Sequence, residues 1–310
     1  MNSESQSLVP ATQQAESEEL TVDEVRESLS TTEKGQPANT IGNCRTVFCQ
    51  DPLLRGAIRL NLLTDRVDIV RDLGWRRNTS ALTDTDVKYL LLYFEQNYGL
   101  TSEKKMTAAL SIVANENCYH PIQDVLNGLV WDETPRIRSC LHHFLGAEVS
   151  DYVEEMLKHF LLGAIRRVFS PGSKYEEMLC LVGGQGAGKS SFFRLLAIRD
   201  EWFSDDLKKL DDDRVYLKLQ GHWIIEMSEM LATSSAKSIE EIRSFISRQK
   251  ETYRTPYEAQ PKDRLRQCVF GGSSNTLDFL PLDRAGNRRF LPIMIYPENA
   301  EVHILEDEDA

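Results

Sequence analysis

Between Leu181 and Phe193 the chain reads LVGGQGAGKSSFF. Gly183, Gly184, Gln185, Gly186, Ala187, Gly188, Lys189, Ser190 and Ser191 form a stretch nearly bare of side chains that ends in a lysine and two hydroxyls. Gly183 and Gly188 stand five apart and are followed by Lys-Ser, the G-x-x-x-x-G-K-[ST] pattern of a phosphate loop. Glycines admit positive φ and close approach, so that successive backbone N–H groups can point at one anion. A helix starting at the lysine adds its positive N-terminal end. Lys189 would then reach the β- and γ-phosphates of ATP, and the Ser190 hydroxyl would ligate Mg²⁺.

Nucleotide hydrolysis needs further groups. The apolar run GHWIIEMSEM (Gly221–Met230) ends in Glu226, with Glu229 three residues on. A carboxylate at a strand tip beside the phosphate loop can hold Mg²⁺, and a second can activate the attacking water. Glu226 is assigned to metal and Glu229 to water; the reverse uses the same pair. QCVFGGSSN (Gln267–Asn275) is a further strand whose tip carries Asn275, either a turn residue or a neutral amide that positions water. Arg288 and Arg289, in DRAGNRRFLP, precede a last apolar run; they suit a finger toward a neighbouring subunit's nucleotide, or a surface patch. Between these motifs, Arg248, Lys250, Tyr253, Arg254 and Tyr257 interleave cations with aromatics. That suits single-stranded DNA, with a solvated basic surface as the competing reading.

The elements that must position these groups follow from composition and period. With 310 residues, the chain has room for one large domain or two ordinary ones. Its net charge of −12 resides at its ends: residues 1–40 hold eight acids against two bases, and the stretch from Pro297 holds six acids and no base. The body is therefore neutral and open to an anionic ligand. Residues 1–40, which lack aromatics, read as a disordered acidic segment with a possible short helix at Thr21–Leu29. Residues 41–172 read as a mostly helical lead-in domain, ending in the amphipathic run Ser150–Gly172. From 173 to 296, apolar strands at Met178–Val182, His222–Met227, Gln267–Gly272 and Arg289–Ile295 alternate with helical segments, predicting an α/β core with a parallel sheet. Residues 297–310 read as an acidic tail. The six cysteines form no CxxC pair and the histidines no ligand spacing, so reduced packing residues are expected. No apolar run approaches the ~20 residues of a membrane span, and the N-terminus lacks the features of a signal peptide, which together predict a cytoplasmic protein.

Taken in order, WDETPRI, LVGGQGAGKSSFF, GHWIIEMSEM, FISRQKETYRTPYE, CVFGGSSN and GNRRFLP resemble the virulence-associated protein E (VapE-like) family over about residues 45–296. YHPIQDVLNGLVWDETPRI (Tyr119–Ile137) is similar to that family's helical lead-in. The resemblance implies a P-loop NTPase of the AAA+ and superfamily 3 helicase type, assembled as a homo-oligomeric, hexamer-like ring. It would act on DNA during replication of a phage or mobile genetic element. It also implies roles for Lys189 and Ser190 in the phosphate loop, Glu226 and Glu229 in the acidic motif, Asn275 as sensor and Arg288 and Arg289 as the arginine motif. Two other classes compete with a helicase: a P-loop kinase, and a nucleotide-dependent interaction or regulatory protein without motor activity.

Overall fold

The computed structural model describes residues 20–207, 210, 215–227, 236–253, 262–278 and 288–304. The chain divides into two compact units: residues 1–61 with 66–119, and residues 62–65 with 120–310.

The first unit begins within the segment expected to be disordered. α1 (Val22–Glu27) is held by a reciprocal capping box between Thr21 and Glu24, and it buries Val25 completely. One buried valine, with Leu29, anchors residues 20–40 to a core that also contains α2 (Ile41–Gln50), α3 (Asp84–Tyr98) and α4 (Glu103–Glu116). Both anchors fall within Thr21–Leu29, where a short helix was expected, while the segment's acidic composition gave no sign that they would reach a core. The unit is also less purely helical than expected. β1 (Ile58–Asn61) pairs antiparallel with β2 (Arg66–Ile69) and parallel with β3 (Cys118–Tyr119). Buried Asp51 accepts the hydroxyls of Tyr98 at 2.6 Å and Tyr93 at 2.8 Å and caps the turn at Leu53 and Leu54. Burial, with the adjoining carboxylate, pushes both phenols well above their usual range.

Apart from residues 62–65, the second compact unit runs from His120, whereas the expected lead-in domain extended to residue 172. α5 (Pro121–Asn127), α6 (Ile137–Leu145) and α7 (Asp151–Phe169) belong with the sheet. The sheet comprises β4 (Met178–Val182), β5 (Phe203–Ser204), β6 (Ile224–Glu226), β9 (Val269–Ser274) and β10 (Phe290–Met294). All pairings are parallel, in the order β10-β4-β9-β6-β5. This is the expected α/β architecture. β4 explains the layering: successive side chains alternate faces, and all five of its residues are buried. Leu179 and Leu181 join Leu157, Phe160, Ala164 and Val168 of α7 on one face. Met178, Cys180 and Val182 join α9 (Val215–Leu219) and α10 (Ala236–Ile246) on the other. A sheet covered on both faces requires apolar residues at every position, hence the continuous MLCLV run.

Two further departures concern charged segments. Lys250–Tyr253 (β7) and Lys262–Leu265 (β8) form an antiparallel pair that the basic composition had hidden. The acidic tail is folded as far as Ile304, which is buried in the second unit's core. Among the described residues no helix is long and apolar enough to cross a membrane.

Candidate active site

The glycine stretch lies where β4 ends and α8 (Lys189–Leu196) begins. Gly186 and Gly188 take φ of +78° and +79°, a region that penalises any Cβ. Gly188 is the N-cap of α8 and no side chain caps the helix, so its first amides face outward as donors. α8 is seated by Phe192 and Phe193, both buried. The Phe193 ring lies against the backbone of Gly271 in β9, so closely that a Cβ there would sit 2.4 Å from the ring.

Parallel pairing brings the other groups to the same end of the sheet. Val182 of β4 stands beside Ser274 of β9, and Glu226 of β6 beside Gly271. The Ser190 hydroxyl donates to Glu226 Oε1 at 2.9 Å, and the Ser273 hydroxyl donates to the same oxygen at 2.5 Å. Glu226 is only 1% exposed, and its Oε2 has no hydrogen-bond partner among the described residues. Burial raises the carboxyl above the ordinary glutamate range, with the two hydroxyl bonds and Lys189 opposing and Asp205 reinforcing the shift. Lys189 donates to the carbonyls of Gly183 at 2.6 Å and Gly184 at 2.7 Å, and to Asn275 Oδ1 at 3.4 Å. Burial draws its ammonium below the usual lysine range, and the Glu226 charge partly restores it.

The Ser190 hydroxyl and the buried Glu226 carboxylate, whose Oε2 is uncommitted, form a hard oxygen set of the kind Mg²⁺ takes. No group of three or more His, Cys, Asp or Glu that could hold a metal occurs among the described residues, so the fit rests on this mixed hydroxyl and carboxylate set.

Lys189, Ser190, Glu226 and Asn275 are thus brought together, while the arginines are not. Arg288 and Arg289 precede β10, whose Phe290 pairs with Met178 at the start of β4. They lie at the opposite end of the sheet from the glycine loop, a five-residue strand or roughly 16 Å away. There Arg289 meets Glu176 at 3.4 Å and Arg288 meets it at 3.9 Å. Burial would raise the Glu176 carboxyl, but Arg289 and Lys174 outweigh it and hold the group below its ordinary range.

Each described cation of the basic stretch faces a carboxylate. Arg248 meets Glu251 at 3.6 Å; Lys250 pairs with Asp263, and Arg266 with Glu251; Lys262 and Arg264 reach Asp65 at 2.9 and 2.8 Å. Arg266 is buried outright. Glu229, Arg254 and Tyr257 lie outside the described residues, as does the side chain of Tyr253.

The sequence reading passed over Ser273 and Asp205. Ser273 was visible as the first residue of the SSN tip. Asp205 follows the two-residue β5, too short to register as a strand, which ends beside Ile225.

A family model, the virulence-associated protein E-like domain, matches residues 126–309. The chain belongs to this family. No curated protein matches the VapE-like chain. Two apo structures of the C-terminal region of NrS-1 superpose on it at a TM-score of 0.46 with 16% identity, over 82% of this chain and 60–61% of theirs. A third structure of that region gives 0.44 and 15%, over 82% and 60%. The VapE-like chain therefore spans about 60% of the length of those structures.

Proposed function

We propose that this VapE-like protein is an ATPase of the helicase or translocase type, acting on DNA in the replication of a phage or mobile element. One observation carries the reading: the Ser190 hydroxyl and the buried Glu226 carboxylate share a hydrogen bond directly beside a lysine that leads a glycine-loop helix. The loop amides and the α8 N-terminus would take the β- and γ-phosphates of ATP. Lys189 would exchange its loop carbonyls for phosphate oxygens. Ser190 and Glu226 would hold Mg²⁺, which would neutralise charge on the phosphates. Asn275, within reach of Lys189, would orient the attacking water, and Glu229 would accept its proton. Arg288 and Arg289, far from their own loop, would serve a neighbouring copy in a ring.

A second reading, a nucleotide-dependent interaction or regulatory protein without motor activity, is favoured by the ion pairing of those arginines with Glu176 and by the paired basic stretch. ATP turnover measured with and without single-stranded DNA decides between them. Stimulation by DNA is expected for a motor. Turnover indifferent to DNA supports the second reading, and no MgATP binding at all removes both.

A further inference from the structure

The glycine loop has a seated side and an open side. A Cβ built on Gly184 or Gly186 would meet nothing within 4 Å. The loop's two ends behave differently. A Cβ on Gly183 would lie 2.5 Å from Ile295 Cγ1, and one on Gly188 would lie 2.9 Å from Ile304 Cγ2 and 3.3 Å from Leu145 Cδ2. Both isoleucines follow β10: Ile295 closes the apolar run Arg289–Ile295, and Ile304 lies in the acidic tail, outside every site motif read from the sequence.

That segment is tied down along its length. The Ile295 amide donates to Val182 O at 2.8 Å, extending the β4 pairing, and the Tyr296 amide donates to Leu145 O at 3.0 Å. Glu301 and Val302 amides both donate to His143 O, at 3.0 and 3.2 Å. The Glu301 carboxylate meets His143 Nδ1 at 2.6 Å. Gly146, which ends α6 with φ of +67°, admits the Tyr296 carbonyl where a Cβ would collide at 1.9 Å. Residues 296–303 are exposed or half-exposed, yet Ile304 is 3% exposed. A largely exposed stretch thus ends in one apolar anchor, and that anchor sits on the N-cap of α8.

We propose that Ile304 is a positioning residue for the glycine loop. It holds Gly188 in its left-handed conformation and the first turn of α8 in place, so that the loop amides are already convergent when an anion arrives. Ile295 seats the loop's entrance and Ile304 its exit; the contact of Glu301 with His143 and the paired amides keep Ile304 in register. The proposal rests on the nucleotide reading for its functional meaning, while the mechanical part is measurable without nucleotide. Loss of preorganisation weakens binding more than it slows a bound substrate, because the ordering must then occur on association.

The test compares wild type, Ile304→Val, Ile304→Ala and Leu157→Ala. The last removes a side chain buried in the same core, on α7. Amide hydrogen exchange across residues 184–191, without ligand, is expected to accelerate about tenfold in Ile304→Ala, less in Ile304→Val, and to stay unchanged in Leu157→Ala. The dissociation constant for MgATP is expected to rise about five- to tenfold in Ile304→Ala, with kcat within about twofold and Ile304→Val near wild type. Should Ile304→Ala not fold, the exchange of Ile304→Val decides alone. Loop exchange unaltered in the Ile304 variants, or raised equally in Leu157→Ala, overturns the brace. Wild type that binds no MgATP while Ile304→Ala accelerates loop exchange overturns the nucleotide reading and leaves the brace standing.

Discussion

The two ends of the parallel sheet hold buried charge in opposite ways. At the end where β4 and β9 begin, Arg167 is fully buried and is spent on backbone carbonyls: Tyr175 at 2.6 Å, Cys268 at 2.7 Å, Ser173 at 3.3 Å and Arg248 at 3.4 Å. Burial draws its guanidinium down to about 10, still charged at neutral pH. Nearby, Arg266 binds the Phe245 carbonyl and Glu251 and lies over the Phe245 ring at 4.7 Å. At the other end, Glu226 has a buried oxygen with no donor among the described residues, and Lys189 is held by the carbonyls of its own loop. Arg167 satisfies its donors within the fold and so contributes structure, while Arg266 keeps one buried Nε without a partner among the described residues. The Glu226 end leaves capacity that a cation and an anion from outside could use.

Removing the cation at each end separates the two roles. Arg167→Met would strand four carbonyl acceptors and is expected to cost about 4 kcal/mol in urea unfolding. Folded Arg167→Met should keep its MgATP affinity. Lys189→Ala should do the reverse, with hydrolysis falling about 100- to 1,000-fold and the urea midpoint nearly unmoved. A Lys189→Ala chain that hydrolyses ATP like wild type would remove the distinction. Mixing it with Arg288→Ala/Arg289→Ala chains is expected to restore part of the activity if the arginines serve a neighbour; no recovery would assign them to Glu176 alone.

Glu226→Gln is a finer probe. The folded carboxyl titrates above its unfolded value, so its ionised form costs stability, and that cost appears as pH rises through the raised pKa. Without metal, Glu226→Gln should therefore be more stable than wild type by about 1 kcal/mol at pH 8, with the gap closing toward pH 4. It should also lose the Mg²⁺ dependence of nucleotide binding. Equal stability across that range would mean the carboxylate is better solvated than its burial indicates. The smallest effect is expected from Lys250→Ala, whose partner Asp263 is itself half exposed: a urea midpoint close to that of wild type, and at most a slight change in the salt dependence of DNA binding.

These contrasts also separate what the sequence made legible from what it did not. The glycine loop was readable because each of its residue types has a local reason, and the strand tips at Glu226 and Asn275 followed from short apolar runs. The parallel sheet was readable because burial on both faces erases alternation, as in MLCLV. The domain boundary was not, because helical period shows that α7 has an apolar face without showing what that face covers: Leu157 and Phe160 look the same in sequence whether they meet another helix or β4. The basic stretch was only partly legible for a related reason. Composition counts the cations of β7 and β8, but the carboxylate that takes Lys262 and Arg264, Asp65, lies nearly 200 residues away. Ile304 was hidden inside a segment dominated by acids.

The contact of Phe193 with Gly271 has a mechanical meaning. α8 carries Lys189 and Ser190, and β9 carries Ser273 and leads to Asn275. A ring laid directly on a bare strand leaves no gap to absorb movement. A shift of α8 toward the sheet is transmitted to β9 as to a rigid rod, and a side chain at Gly271 would act as a wedge between them. The helix that would meet the phosphates and the strand tip that would meet the water therefore work as one jointed part, with Phe193 as its bearing.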